Sequence, residues 1–132
     1  MINEELKLEL SFPPTVNNYY VKTRSGVFIS AKGRKYRNTI ADEIHQQLSD
    51  MELGEERINL NVVVHMPDRR KRDLDNYMKA LLDAITKTGL WEDDSQIDQL
   101  CIYRGEIIKG GKVRMEIAPA GPVLSYSYWV EG

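Results

Sequence analysis

Apolar and polar residues alternate from Leu6 to Phe12 as in a half-buried strand, and Pro13-Pro14 stops the run. The next segment, Thr15-Val16-Asn17-Asn18-Tyr19-Tyr20, reads as a loop of mixed polar and aromatic content. Val27-Phe28-Ile29 is a short strand. Ser30 then caps a helix to about Leu48, because Tyr36, Ile40, Ile44 and Leu48 recur at every fourth position. Gly33 weakens its first turn. Ile58 to Met66 has the β-branched richness of a central strand, ended by Pro67. A second helix begins near Asp73, with Leu74, Met78, Leu81, Leu82 and Ile85 on an apolar stripe and Asp75, Lys79 and Asp83 on a polar side. Gly89 is its stop. Ile97 to Glu106 and Val113 to Ile117 read as two strands joined by a Lys109-Gly110-Gly111-Lys112 hairpin turn. The stretch from Pro122 to Val130 fits an edge strand, a partner surface or a loosely packed end. The pattern predicts an α+β fold: one domain over 1–132, with a small mixed, mostly antiparallel sheet covered by two main helices.

A chain of 132 residues suits that single domain, and 42% hydrophobic with 29% charged residues is ordinary for a globular protein. No apolar run nears the roughly 20 residues that cross a bilayer. The start, Met1-Ile2-Asn3-Glu4-Glu5, is acidic where a signal peptide is basic, so a cytoplasmic protein with no membrane association is expected. Cys101 is the only cysteine, which rules out an intramolecular disulfide and a thiolate metal cluster, and it is assigned to packing.

The formal net charge is only -2, yet charge is segregated along the chain. Lys22, Arg24, Lys32, Arg34, Lys35 and Arg37 come with no acid among them, and Asp42, Glu43, Asp50, Glu52, Glu55 and Glu56 follow. One basic and one acidic face are expected.

The densest chemistry is Asp68-Arg69-Arg70-Lys71-Arg72-Asp73-Leu74-Asp75-Asn76, with Lys79 one turn on and Glu92-Asp93-Asp94 after it. Phosphodiester hydrolysis needs the phosphate neutralised, a water made nucleophilic and the leaving oxygen stabilised, and magnesium held by carboxylates supplies all three. Asp73 and Asp75 fall where extended chain turns into helix and residues two apart still share a side. Either is equally placed to be a helix cap. A calcium loop starting at Asp73 would want glycine at Met78 and glutamate at Ala84, and Gly110-Gly111-Lys112 lacks the flanking residues of a nucleotide phosphate loop, so no nucleotide cofactor is expected.

A helix from Leu74 to Lys87 is about 20 Å long. Asp94, seven residues on, retraces at most about 23 Å. It returns to the Asp73 end only if Gly89 reverses the chain and Trp91 pins it. Glu92, Asp93 and Asp94 gathered together would raise one another's pKa unless a cation relieved them. Lys79 fits a surface ion pair with Asp75 as well as it fits a phosphate contact. Arg69, Arg70, Lys71 and Arg72 are a solvated loop or phosphate grips; Lys35 and Arg37 are weaker grips, and Tyr19 and Tyr20 stack on bases or roof the core.

Four segments together resemble the RusA family of Holliday-junction resolvases: Phe12-Pro13-Pro14 with Asn17 to Tyr20; His65-Met66-Pro67-Asp68-Arg69-Arg70; Arg72-Asp73-Leu74-Asp75-Asn76 with Lys79-Ala80; and Trp91-Glu92-Asp93-Asp94-Ser95-Gln96. The resemblance runs from about Leu10 to about Ile117 and leaves 119–132 as a divergent tail. It implies a homodimeric, magnesium-dependent endonuclease of recombination and repair, with manganese as a possible substitute, acting on four-way DNA junctions. It places the metal-binding, catalytic aspartates on Asp73, Asp75 and Asp94 and the essential lysine on Lys79. Arg72, Asn76 and the Asn17 to Tyr20 loop match positions near DNA, the active site or the dimer partner. Phage and prophage carriage is common in such a family. A flap or single-strand nuclease and a non-catalytic junction-binding protein are the alternatives.

Overall fold

The computed structural model describes residues 5–121. The Pro122 to Val130 stretch, Trp129 included, lies outside the described residues. Strands β1 (Leu6–Leu10), β4 (Ile58–His65), β5 (Ile97–Arg104) and β6 (Lys112–Pro119) form one sheet in the order β1-β6-β4-β5. β2 (Tyr20–Thr23) and β3 (Gly26–Ile29) form a separate two-stranded ribbon. Three helices accompany them: a single turn α1 (Val16–Tyr19), α2 (Ala31–Leu48) and α3 (Met78–Thr88). The main sheet is mixed and mostly antiparallel, as the pattern predicts; only β4 and β5 run parallel.

The core forms between one face of this sheet and the apolar stripes of α2 and α3. β4 buries Ile58, Leu60, Val62 and Val64, β6 buries Val113, Met115 and Ile117, and β1 buries Leu8 and Leu10. Tyr36, Ile40 and Ile44 from α2 and Met78, Leu81, Ala84 and Ile85 from α3 close over them. Each fully buried aliphatic side chain contributes about 1.5–3 kcal/mol. The other face of the sheet is open and carries Lys7, Asn61, Val63, Tyr103 and Arg114 around a concavity. Cys101 is half-buried on that side of β5. Among the described residues no helix is long and apolar enough to cross a membrane.

Two expectations are corrected. Thr15 to Tyr20 is not a loop: Tyr19 donates its amide to Thr15 O at 2.9 Å to close the turn of α1, and β2 starts at Tyr20. Nor do β5 and β6 form a hairpin, for they lie on opposite edges of β4. A parallel neighbour needs a long crossover, and α3 supplies it between β4 and β5. The chain then passes over the end of β4, Gly105 N donating to Val64 O and Ile108 N to Met66 O, before the predicted glycine turn feeds β6 in beside β1. The turn is real, but it joins strands that do not pair.

Ser30 caps α2 by accepting the Gly33 amide at 2.9 Å. Gly33 proves to be a packing requirement, since a Cβ there would meet the Tyr19 carbonyl oxygen at 2.5 Å and Ile29 Cγ1 at 2.7 Å. Helix propensity favours Ala over Gly by about 1 kcal/mol. The contact with backbone reverses the sign: Gly33→Ala is expected to destabilise by about 1–3 kcal/mol in urea unfolding, where a gain would contradict this packing.

Candidate active site

The loop after β4 is folded on Asp68. Its carboxylate accepts the Arg70 amide at 3.0 Å, and its Oδ1 and Oδ2 both accept from Arg72 Nη2, at 3.1 and 2.9 Å. The Arg70 amide first, then Arg72, holds the Asp68 carboxyl below its usual range. The stability this linkage lends is present above the unfolded carboxyl pKa and lost as pH falls through the depressed folded value. Arg72 also reaches the Tyr77 hydroxyl at 3.1 Å, and Arg104 donates to its carbonyl at 2.7 Å. Arg72 therefore clamps the loop internally, bonded to Asp68 and Tyr77. Arg69, Arg70 and Lys71 are exposed.

Asp73 and Asp75 follow immediately on a 3-10 turn, Leu74–Tyr77, that runs into α3. Asp73 stands at the N-cap position but makes no side-chain cap hydrogen bond. Both carboxylates are exposed, so the capping reading does not account for Asp73. Among the described residues no ion pair joins Asp75 to Lys79. The Lys79 ammonium instead sits over the Tyr20 ring, 5.7 Å from its centroid. Asn76 is half-buried beside them.

Gly89, with φ of 86°, reverses the chain after α3, and Trp91 follows with no exposed surface. The Trp91 indole N–H donates to Thr86 Oγ1 at 2.7 Å, and Thr86 Oγ1 contacts both the Asp94 carboxylate and the Leu82 carbonyl. Buried Gln96 shapes the intervening loop: its Oε1 accepts the amides of Glu92 and Asp93, and its Nε2 donates to the carbonyls of Gly54 and Glu56. The crowded acids do not raise Asp93, because the Ser95 hydroxyl and amide lower it. The return also stops short of the Asp73 end. Thr86, which anchors Asp94, lies on the order of 15 Å beyond Asp75 at about 1.5 Å per residue.

The aromatic pair divides. Tyr19 has no exposed surface; its hydroxyl donates to Asp83, and Arg37 donates to that hydroxyl at 2.8 Å and to Asp83 at 2.8 Å. Burial first, and then Asp83, raise the Tyr19 phenol well above its ordinary value. This triad ties α1, α2 and α3 together, so Tyr19 roofs the core and does not stack on bases, while Arg37 is held in an ion pair with Asp83. Tyr20 is half-buried and holds a different place: burial first raises its phenol, and the fields of Asp83 and Asp94 add to that. Tyr20 thus carries the Lys79 ammonium over its ring, with Asp94 acting on it only through its field. Asn17 and Lys35 are exposed.

Charge segregates along α2. Lys32, Arg34 and Lys35 crowd its amino end, with no acid in the first turn. That arrangement opposes the helix dipole, which favours anions there. A bound phosphate reverses the penalty.

Metal fit is partial. Among the described residues no group of three His, Cys, Asp or Glu side chains is gathered closely enough to hold one ion. Magnesium sites commonly use one or two carboxylates with substrate phosphate and water, so an open pair such as Asp73 and Asp75 is the usable part. The residues that tie the candidate site together and were not singled out in the sequence are Asp83, Thr86 and Gln96; Asp83 shares the polar side of α3 with Lys79, and Gln96 stands two residues after Asp94.

The sequence profile of the family described as Endodeoxyribonuclease RusA matches residues 11–118. The chain belongs to this family and is an endodeoxyribonuclease. Among its relatives is the crossover junction endodeoxyribonuclease RusA of Escherichia coli strain K12, 38% identical over 114 residues that cover 86% of this chain and 94% of that protein. The enzymes of the same name from Enterobacteria phages 82 and HK97 are 39% identical over 114 residues and 37% over 113, again over 86% of this chain.

Proposed function

We propose that this chain resolves four-way DNA junctions as a magnesium-dependent homodimer, nicking opposed strands symmetrically, with manganese able to replace magnesium. The observation that carries the reading is the exposed pair of Asp73 and Asp75 on the turn that opens α3, with Lys79 one turn on and its ammonium over the Tyr20 ring. A divalent ion at the aspartates supplies charge neutralisation and a water of lowered pKa. The chain's own residues do the rest. Exposed Arg69, Arg70 and Lys71, with Lys32 and Lys35 at the start of α2, hold phosphates. Lys79 neutralises charge as a phosphorus–oxygen bond to water forms and the bond to the 3′ oxygen breaks, leaving ligatable 5′-phosphate and 3′-hydroxyl ends.

Because Asp94 is anchored far along α3 from Asp75, a second copy is the natural source of a completed acidic set. A C2 dimer also matches the two-fold symmetry of a junction. The test is a synthetic four-way junction with each strand labelled in turn, with Mg²⁺ or EDTA. Paired, ligatable nicks that vanish in EDTA are expected. Cutting confined to flaps or single strands would replace this reading with a general structure-selective nuclease, and binding without cutting would refute it.

A further inference from the structure

The ribbon of β2 and β3 is not used by the site as described, yet it starts at Tyr20, under the Lys79 ammonium. Its register pairs Tyr20 with Ile29, Val21 with Phe28, Lys22 with Val27 and Thr23 with Gly26. Directly opposed residues share a face, so Tyr20 and Ile29 lie on one side and Val21 and Phe28 on the other. Tyr20 and Ile29 pack against the core. Phe28 is 52% exposed and Val21 44%, an apolar pair on the outer side of an element that is marginal by itself. The ribbon is held from its base: Ser30 N donates to Tyr19 O at 2.9 Å, and Arg34 Nη1 donates to Ile29 O at 3.1 Å.

Charge decides what covers it. From Leu10 to Ala41 the chain has no acidic residue. Lys22, next to Val21 along the strand and on the ribbon's other side, and Arg24 at the turn are exposed, and among the described residues neither is in an ion pair. An isologous contact through this ribbon would set one basic patch against another, which disfavours a second copy as its occupant. A polyanion that also offers apolar surface fits. Duplex DNA hides its base faces by stacking, and prising a step apart costs energy; at a branch point the stack is already interrupted.

Building on the junction reading above, we propose that the β2–β3 ribbon is the element that discriminates branched from continuous DNA, with Phe28, supported by Val21, stacking on a base exposed at the crossover while Lys22 and Arg24 hold the flanking phosphates. The ribbon thereby sets the branch point beside Lys79 at its root. An aromatic ring on a base face is tolerant of sequence, which accords with selection by shape.

The test uses full-length chains carrying Phe28→Ala or Phe28→Trp, with a four-way junction and a linear duplex of the same arm sequence, in EDTA. Phe28→Ala is expected to weaken junction binding about tenfold and leave duplex binding unchanged, while Phe28→Trp restores junction binding. Sedimentation of the same variants should show the parent's oligomeric state. Equal losses on both DNAs, no loss, or a change of oligomeric state in Phe28→Ala would each overturn the ribbon's role while the parent's preference for junctions stands. A parent chain with no preference for junctions would overturn both the ribbon's role and the reading beneath it.

Discussion

Asp75→Asn is expected to abolish strand cutting, by about a thousandfold or more, while junction binding is kept or slightly strengthened. Asp75 is exposed on the 3-10 turn, and its carboxylate has no hydrogen-bond or ion-pair partner among the described residues. Asparagine preserves its shape, so the stability change should stay within about 0.5 kcal/mol. What it removes is the anionic oxygen that a hard cation prefers. It also removes a negative charge beside the DNA phosphates, which is why affinity is expected to hold or rise. Strand-resolved cleavage, fluorescence anisotropy with the labelled junction and urea unfolding of the same preparation separate the cases. Persistent cutting would remove Asp75 from the chemistry, and a fall in unfolding midpoint matching the lost activity would make its role structural.

Trp91→Ala should be the most destabilising single change on the chemistry side of the fold. The indole has no exposed surface, and truncating a buried tryptophan costs about 3–5 kcal/mol. A domain of this kind is stable by only about 5–15 kcal/mol, so the variant should unfold at much lower urea. Trp91→Phe separates packing from hydrogen bonding. It keeps most of the apolar volume but leaves Thr86 Oγ1 without the indole N–H that now fixes it. Because Thr86 holds the Asp94 carboxylate, cleavage by Trp91→Phe should fall about tenfold with a stability loss of about 1 kcal/mol. Unchanged cleavage would show that the Trp91–Thr86–Asp94 chain of contacts does not orient Asp94.

Local physics is enough for much of this molecule. The four-residue recurrence of Tyr36, Ile40 and Ile44 and the capping hydroxyl of Ser30 place α2, and the β-branched run ended by Pro67 places β4. Periodicity also locates the apolar stripe of α3, and Gly89 its end. The Asp73, Asp75 and Lys79 constellation is legible because its members are close in sequence and their residue types name their chemistry. By contrast, Tyr19 and Tyr20 are adjacent and alike in type, yet one is sealed in a triad with Arg37 and Asp83 and the other faces Lys79. Residue type does not separate them; the end of α1 at Tyr19 and the start of β2 at Tyr20 do.

Residue order and type suffice for the α+β class, the strands and helices with strong periodicity, and the acidic and basic residues gathered at one helix start. The tertiary structure alone decided strand neighbours, putting β5 and β6 on opposite edges of β4. It also turned Arg37 and Arg72 inward and anchored Asp94 on Thr86. Each of these depends on contacts between residues distant along the chain, whose closure is fixed by global packing and not by local preference.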